Sequence, residues 1–205
     1  MMKASKLFLV ALLSVLCLVS CKKDDGEELT KPGKTYEFLN ATSYTDWVYF
    51  SFEKGAIVEV SDHKNDLSWD IAFHRGDIRL NGGESGKGQG GAINTNTTDW
   101  DAVKDAPASG YVTDKVGTIT TAFTGEGIET AEQPFSQTLA TWLIIDTSNP
   151  PPVYRYNNWI YVIKMADGRY AKLHIYDYKN EKNAGAYISF RYQYNGDGST
   201  DFRAN

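Results

Sequence analysis

An alternation of period two constrains this chain more than any other feature. Ala186, Ile188, Phe190, Tyr192 and Tyr194 interleave with Tyr187, Ser189, Arg191 and Gln193. Successive side chains of a strand point to opposite faces, so this spacing predicts a strand with one face in a core. Similar patterns recur upstream, separated by turn signals. Trp47 to Phe52 and Ala56 to Val60 flank Glu53-Lys54-Gly55, a short hairpin turn. Leu67 to Phe73 and Asp77 to Leu80 read as two strands around Gly76. Within the first, Trp69 is expected in the core, with Ile71 and Phe73 on its face. Trp159 to Met165 and Arg169 to Asp177 flank Ala166-Asp167-Gly168. In the second of these strands Ala171, Leu173 and Ile175 share one face. Lys172, His174 and Tyr176 share the other, which predicts a solvated or rim position for His174. No long segment carries the 3.6-residue period of a helix. Only Thr98 to Val103, with Thr98 or Asp99 as cap, suggests one short helical turn. The expected fold class is all-β and antiparallel, in one domain (35–205). Irregular loops are expected at 81–91, 124–134 and 146–152.

The first twenty residues are of another kind. Lys3 and Lys6 precede an apolar run from Leu7 to Val19, which ends in Ser20-Cys21. A basic start, a short apolar core and small residues before a cleavage point make a secretory signal peptide. The run falls short of the roughly 20 apolar residues of a membrane span. Leu18-Val19-Ser20-Cys21 resembles a bacterial lipobox, which implies cleavage before Cys21 and acylation of its thiol. Each buried acyl CH₂ is worth about 0.8 kcal/mol, so two or three chains anchor such a protein stably. Residues 21–34, charged and carrying Pro32 and Gly33, read as a lipidated flexible tether. Their Lys-Lys-Asp-Asp-Gly-Glu-Glu run resembles the signal that sends lipoproteins of Bacteroidetes-type bacteria to the outer cell surface.

Composition narrows the function. Without Lys3 and Lys6 the mature chain keeps 19 basic side chains against 26 acidic, a net charge of −7. Nucleic acid needs a basic face, so it is not an expected partner. Cys17 leaves with the signal peptide and Cys21 is acylated, which leaves no thiol for a disulfide, a zinc–thiolate site or a nucleophile. Ser85-Gly86-Lys87 hints at a phosphate loop, but Asn81 stands where its first Gly belongs and Gly88 where its Ser or Thr belongs. A surface loop rich in positive φ is the simpler reading. His63, His74 and His174 lie on three separate segments, so no metal site is expected. His74 sits near Asp70 and Asp77 and reads as a structural imidazole bonded to a carboxylate. No Gly-x-Ser-x-Gly elbow or Ser–His–Asp spacing is present, and the chain is not expected to be an enzyme.

Longer motifs carry a family resemblance. They are Tyr44-x-x-Trp47-x-Tyr49-Phe50-Ser51-Phe52-x-Lys54-Gly55 and Asp66-Leu67-x-Trp69-Asp70-x-Ala72-x-His74-Arg75-x-Asp77-x-Arg79-Leu80-Asn81. Gly83-Glu84-Ser85-Gly86-Lys87-Gly88, Gly90-Gly91-Ala92, Ala166-Asp167-Gly168 and Asp177-Tyr178 complete them. Together these resemble the HmuY family of haem-binding outer-membrane lipoproteins, over about residues 35 to 195. The resemblance implies an antiparallel β fold likened to a right hand. It also implies a lipid anchor in the outer membrane with cell-surface exposure, and iron acquisition as the role. Haem would be taken from host haemoproteins and passed to a TonB-dependent receptor.

At the positions that the resemblance assigns to iron ligation, the sequence departs from the family. The axial ligands there are His or Met, from a loop before the Phe-Ser element and a loop after the Trp-Leu strand. Here the first loop holds Glu126, Gly127, Ile128 and Glu129 before Phe135-Ser136. The second holds Asp146, Thr147 and Ser148 after Trp142 to Ile145. Neither offers imidazole or thioether, and hydroxyl and carboxylate are poor substitutes at haem iron. The nearest phenol, Tyr154, follows three prolines, and Met165 lies beside the Ala-Asp-Gly turn. The expected ligand pocket is therefore formed by Glu126, Ile128, Glu129, Trp142, Ile145, Thr147 and Tyr154. It would take haem or porphyrin by apolar contact. The alternatives are a non-haem ligand on the same scaffold, such as a glycan or hydrophobic small molecule, and an adhesive surface protein.

Overall fold

The computed structural model describes residues 31–203. The expected signal peptide and the expected lipidation site, Cys21, lie outside the described residues. Thirteen strands follow one another among those residues. β1 (Lys34–Asn40), β6 (Gly91–Asn94), β11 (Ile160–Lys164), β12 (Tyr170–Lys179) and β13 (Gly185–Asn195) form one antiparallel sheet in the order β1-β13-β12-β11-β6. β2 (Val48–Ser51), β3 (Ala56–Val58), β4 (Ile71–His74) and β5 (Asp77–Leu80) form a second in the order β3-β2-β4-β5. Two separate hairpins complete the set: β7 (Lys115–Thr124) with β8 (Gly127–Phe135), and β9 (Leu143–Asp146) with β10 (Val153–Tyr156). A 3-10 turn at Leu139–Trp142 links them.

The two sheets bury their apolar faces against each other. Phe190 of β13 meets Phe50 of β2 edge-on at 5.2 Å and stacks on Phe73 of β4 at 5.3 Å. Such offset and edge-to-face pairs are the favoured aromatic geometries. Ala171, Leu173 and Ile175 are buried in this core, as their alternation predicts. The opposite face of the large sheet is not solvated. Ile160, Val162, Trp100, Val103, Ala106 and Phe202 form a second apolar cluster over it. Lys172 is fully buried there and donates from Nζ to the carbonyls of Trp100 (2.9 Å) and Val103 (3.1 Å). His174 is accordingly half-buried rather than solvated, and burial lowers its pKa.

Several sequence expectations change in detail. Trp69 is fully buried but precedes β4, with its indole N–H donated to the His63 carbonyl at 3.0 Å. In the β4–β5 turn the positive φ falls on Arg75 (53°), not on Gly76. Residues 100–102 make a turn, not a helix. The end of the expected tether is docked: Lys31 N–H donates to the Phe202 carbonyl at 3.0 Å, and the Trp100 indole donates to the Lys31 carbonyl. Strand β1 also begins inside it, at Lys34. The stretch 124–134 is mostly strand β8.

The Gly-rich segment is built by close approach, and Gly83 alone in 81–91 has a positive φ. A Cβ on Gly90 would sit 2.5 Å from the Asn81 carbonyl oxygen, and one on Gly88 2.4 Å from it. Asn81 is fully buried and donates to the carbonyls of Asp66 and Trp69 while accepting from Gly88 N–H. The N–H groups of Glu84, Ser85, Lys87, Gln89 and Gly90 donate to carbonyls of Asp114, Gly82, Lys64, Ala166 and Asn81. A phosphate cradle needs those N–H groups free to point at an anion. This loop is a structural brace between segments.

Candidate ligand-binding cleft

A cleft of about 310 Å³ lies between the two hairpins. Hairpin β9–β10 forms one wall. Tyr154 stands directly opposite Ile145 in register, and both line the cleft with Thr147 and Pro152. The three prolines thus turn the chain back on itself and bring Tyr154 to the site rather than away from it. Hairpin β7–β8 forms the other wall through Thr120 and Phe123. The ladder slips between Thr120 and Ala122, and the resulting bulge returns Thr120 and Phe123 to the same face. Tyr44, Arg75, Gly76, Asp77 and Tyr178 complete the lining.

The candidate residues from the sequence divide. Ile145, Thr147 and Tyr154 come together in the cleft. Ile128 is paired with Phe123 at the hairpin end and is 59% exposed, outside the cavity. Glu126 and Glu129 are exposed on the same hairpin and do not line it. The physical reason is that 124–134 is mostly strand β8 of an extended hairpin, and it is the other strand, β7, that supplies the residues reaching the cleft. Trp142 is fully buried and cannot contact a ligand directly. It donates its indole N–H to the Gly76 carbonyl at 2.9 Å, stacks on Tyr156 and touches Tyr178. It therefore supports the cleft from behind. Sequence reasoning gave no ligand role to Phe123, Tyr44, Arg75 or Tyr178. Tyr44 and Arg75 stood within the resemblance motifs, and Phe123 was an apolar residue beside a Gly turn.

The chemistry of the lining is aromatic with one cation and one carboxylate. The Tyr44 ring meets Phe123 at 5.9 Å and carries the Arg75 guanidinium at 3.9 Å. Tyr154 lies 5.2 Å from Tyr178, and burial pushes the Tyr178 phenol above its ordinary pKa. Asp77 Oδ2 lies 3.4 Å from His74 Nδ1. That contact agrees with the structural role expected of His74, which is fully buried and stacked on Trp47. At the rim, Ser148 donates its hydroxyl and N–H to Asp146, and its hydroxyl is the main cause holding that carboxyl below its usual pKa. No His or Met lines the cleft. Met165 is buried near Asp70 and Arg169, beside a different, polar cavity. Among the described residues no group of three or more His, Cys, Asp or Glu is placed to hold a metal ion.

The hairpin that walls the cleft is anchored at its base. Gln133 Oε1 accepts from Trp47 Nε1 (3.1 Å) and from Arg79 Nη2 (2.9 Å), and the Arg79 guanidinium lies over the Trp47 ring at 3.6 Å. Ser136 N–H donates to the Ile78 carbonyl at 2.8 Å. Strand β5 thereby fixes where β8 leaves the body of the domain.

The family model described as HmuY protein matches residues 43–192. The chain belongs to the HmuY family. Solved structures agree across most of its length. An HmuY-like haem-binding protein from Bacteroides vulgatus is 28% identical, with a TM-score of 0.62 over 80% of this chain and 97% of that one. A lipoprotein from Bacteroides fragilis is 26% identical, with a TM-score of 0.64 over 82% and 90%. The apo HmuY analogue of Tannerella forsythia is 25% identical, with a TM-score of 0.59 over 79% and 97%. No curated protein matches the chain. Among the described residues no helix is long and apolar enough to cross a membrane.

Proposed function

We propose that this protein is a lipid-anchored binding protein of the cell surface, held through Cys21, that takes haem or a porphyrin into the cleft between its two hairpins. One observation carries the reading. The cleft is walled by Phe123, Ile145, Pro152 and three tyrosines, with no imidazole or thioether to reach iron. Ligand sites of roughly 300–1,000 Å³ bind mainly through such apolar walls, and this cleft falls at the lower end of that range. Ring burial would then supply the affinity. Ferric haem and metal-free porphyrin should bind alike, and bound ferric haem should be high-spin or water-ligated. The Tyr178 phenol, its pKa raised by burial, is a poor source of phenolate. The protein acts by binding and transfer rather than catalysis. A TonB-dependent receptor is the proposed recipient and host haemoproteins the proposed source.

The test is an absorption titration with ferric haem and with protoporphyrin IX. A Soret shift with both supports the reading. No spectral change with either overturns it, and would favour a glycan or another small molecule on the same tyrosine-rich walls. A low-spin, two-ligand spectrum of the unmodified protein would place the iron elsewhere.

A further inference from the structure

Arg75 is a cation set into this mainly aromatic cleft, and it is held in place before any ligand arrives. Its backbone N–H donates to the Ala41 carbonyl at 2.9 Å. Its Nη1 donates to the Thr42 carbonyl at 2.9 Å. Its guanidinium carbon lies 3.9 Å from the centre of the Tyr44 ring. The residue occupies a positive φ of 53°, a conformation that non-glycine residues seldom adopt. Strained positions of this kind cluster where a side chain must be aimed. Three contacts thus fix the guanidinium against the cleft.

Its charge is not answered within the described residues. No carboxylate among them lies within 4 Å of it to form an ion pair, although Asp77 lines the same cleft. Asp77 instead faces His74. Among the same residues Nε and Nη2 of Arg75 meet no hydrogen-bond acceptor, so a planar edge of donors is left for a ligand. A guanidinium presents its donors in a fixed fork that matches a carboxylate in bidentate fashion.

We infer that Arg75 is the specificity residue of the cleft and receives a carboxylate of the bound porphyrin, while Phe123 and Tyr154 cover its apolar ring. This rests on the porphyrin reading above and adds a polarity to it: the acidic edge of the ligand faces the β4–β5 turn.

The test uses the whole mature protein with protoporphyrin IX, its dimethyl ester and oleate. The ester keeps the ring and removes both charges. Wild type should bind the diacid roughly 10- to 100-fold more tightly than the ester, the range for a hydrogen bond to a charged group. Arg75→Gly suits the positive φ and should fold; it should lose affinity for the diacid and leave the ester unchanged. Arg75→Lys should retain part of the discrimination, because charge remains without the fork. Equal binding of diacid and ester by wild type would overturn the inference and leave porphyrin binding intact. So would an equal loss for both ligands in Arg75→Gly. Displacement of porphyrin by oleate with the same dependence on Arg75 would show that a flexible fatty acid is the carboxylate read, and would overturn the porphyrin assignment. Binding of no porphyrin at all by wild type would sink the cleft reading itself, and this inference with it.

Discussion

The substitution Asp114→Asn should change how the stability of this domain depends on pH. Asp114 is 1% exposed and stands where the Gly-rich brace meets the start of β7. Its Oδ2 accepts from Leu80 N–H and from the Ser85 hydroxyl, each at 2.7 Å. Its Oδ1 has no partner among the described residues. Burial raises its pKa from 3.8 to about 7, against the opposing pull of the Ser85 and Leu80 hydrogen bonds and the Arg79 charge. The folded state therefore keeps a proton between about pH 4 and pH 7 that the unfolded chain releases. Stability from this group is fully present below pH 4 and is lost as pH rises through 7. A rise of that size corresponds to roughly 4 kcal/mol as an upper bound. An amide in place of the carboxyl would stay neutral throughout and keep a carbonyl acceptor for Leu80 and Ser85. The variant should gain about 2–4 kcal/mol on wild type between pH 4 and pH 8. Asp70 is also raised, to about 6 by burial, but it is present in both proteins and cancels in the difference. Urea unfolding followed by tryptophan fluorescence across that range, at constant m-value, measures the effect. Parallel stability curves for the two proteins would refute the reasoning.

Other outcomes follow from the same geometry. Trp69→Ala removes a fully buried indole and should destabilise the domain by about 3–5 kcal/mol in the same assay; an unchanged midpoint would mean that the ring is not in the core. Gly90→Ala places a Cβ 2.5 Å from a backbone oxygen and should cost about 1–3 kcal/mol, whereas Gly125→Ala, with open space around it, should be nearly neutral. Thr147→His introduces an imidazole into the cleft lining and should shift bound ferric haem toward a coordinated spectrum, with protoporphyrin affinity unchanged. Cys21→Ala should release the protein from the membrane fraction or trap an unprocessed precursor, and normal retention of a processed variant would argue against the lipid anchor.

Alternation was enough to identify β12 and β13, but not β1 and β6 of the same sheet. β12 and β13 show period two because their aliphatic and aromatic residues face the partner sheet while Lys172, His174, Arg191 and Gln193 take the other side. β11, in contrast, is apolar from Ile160 to Ile163 because both of its faces are covered. The motifs around Trp69 and the Gly-rich run likewise pointed to the HmuY family. Three matters lay beyond the reach of local pattern. His174 read as solvated or at a rim because nothing nearby in sequence announces that Trp100, Val103 and Phe202 fold over that face. The segment 124–134 read as a loop because Gly125, Gly127 and Pro134 mask a strand whose side chains are largely exposed, so burial imposes no alternation on it. The cleft itself is a product of distant pairings. Tyr154 reaches Ile145 only because β10 folds back on β9, and Arg75 meets Tyr44 only because its turn packs on the segment that follows β1. The chain's own order of residues determines which side chains exist and which face of a strand each takes. Which of them share one cavity depends on contacts between segments far apart in the chain, and those are set by the packing of whole sheets and hairpins.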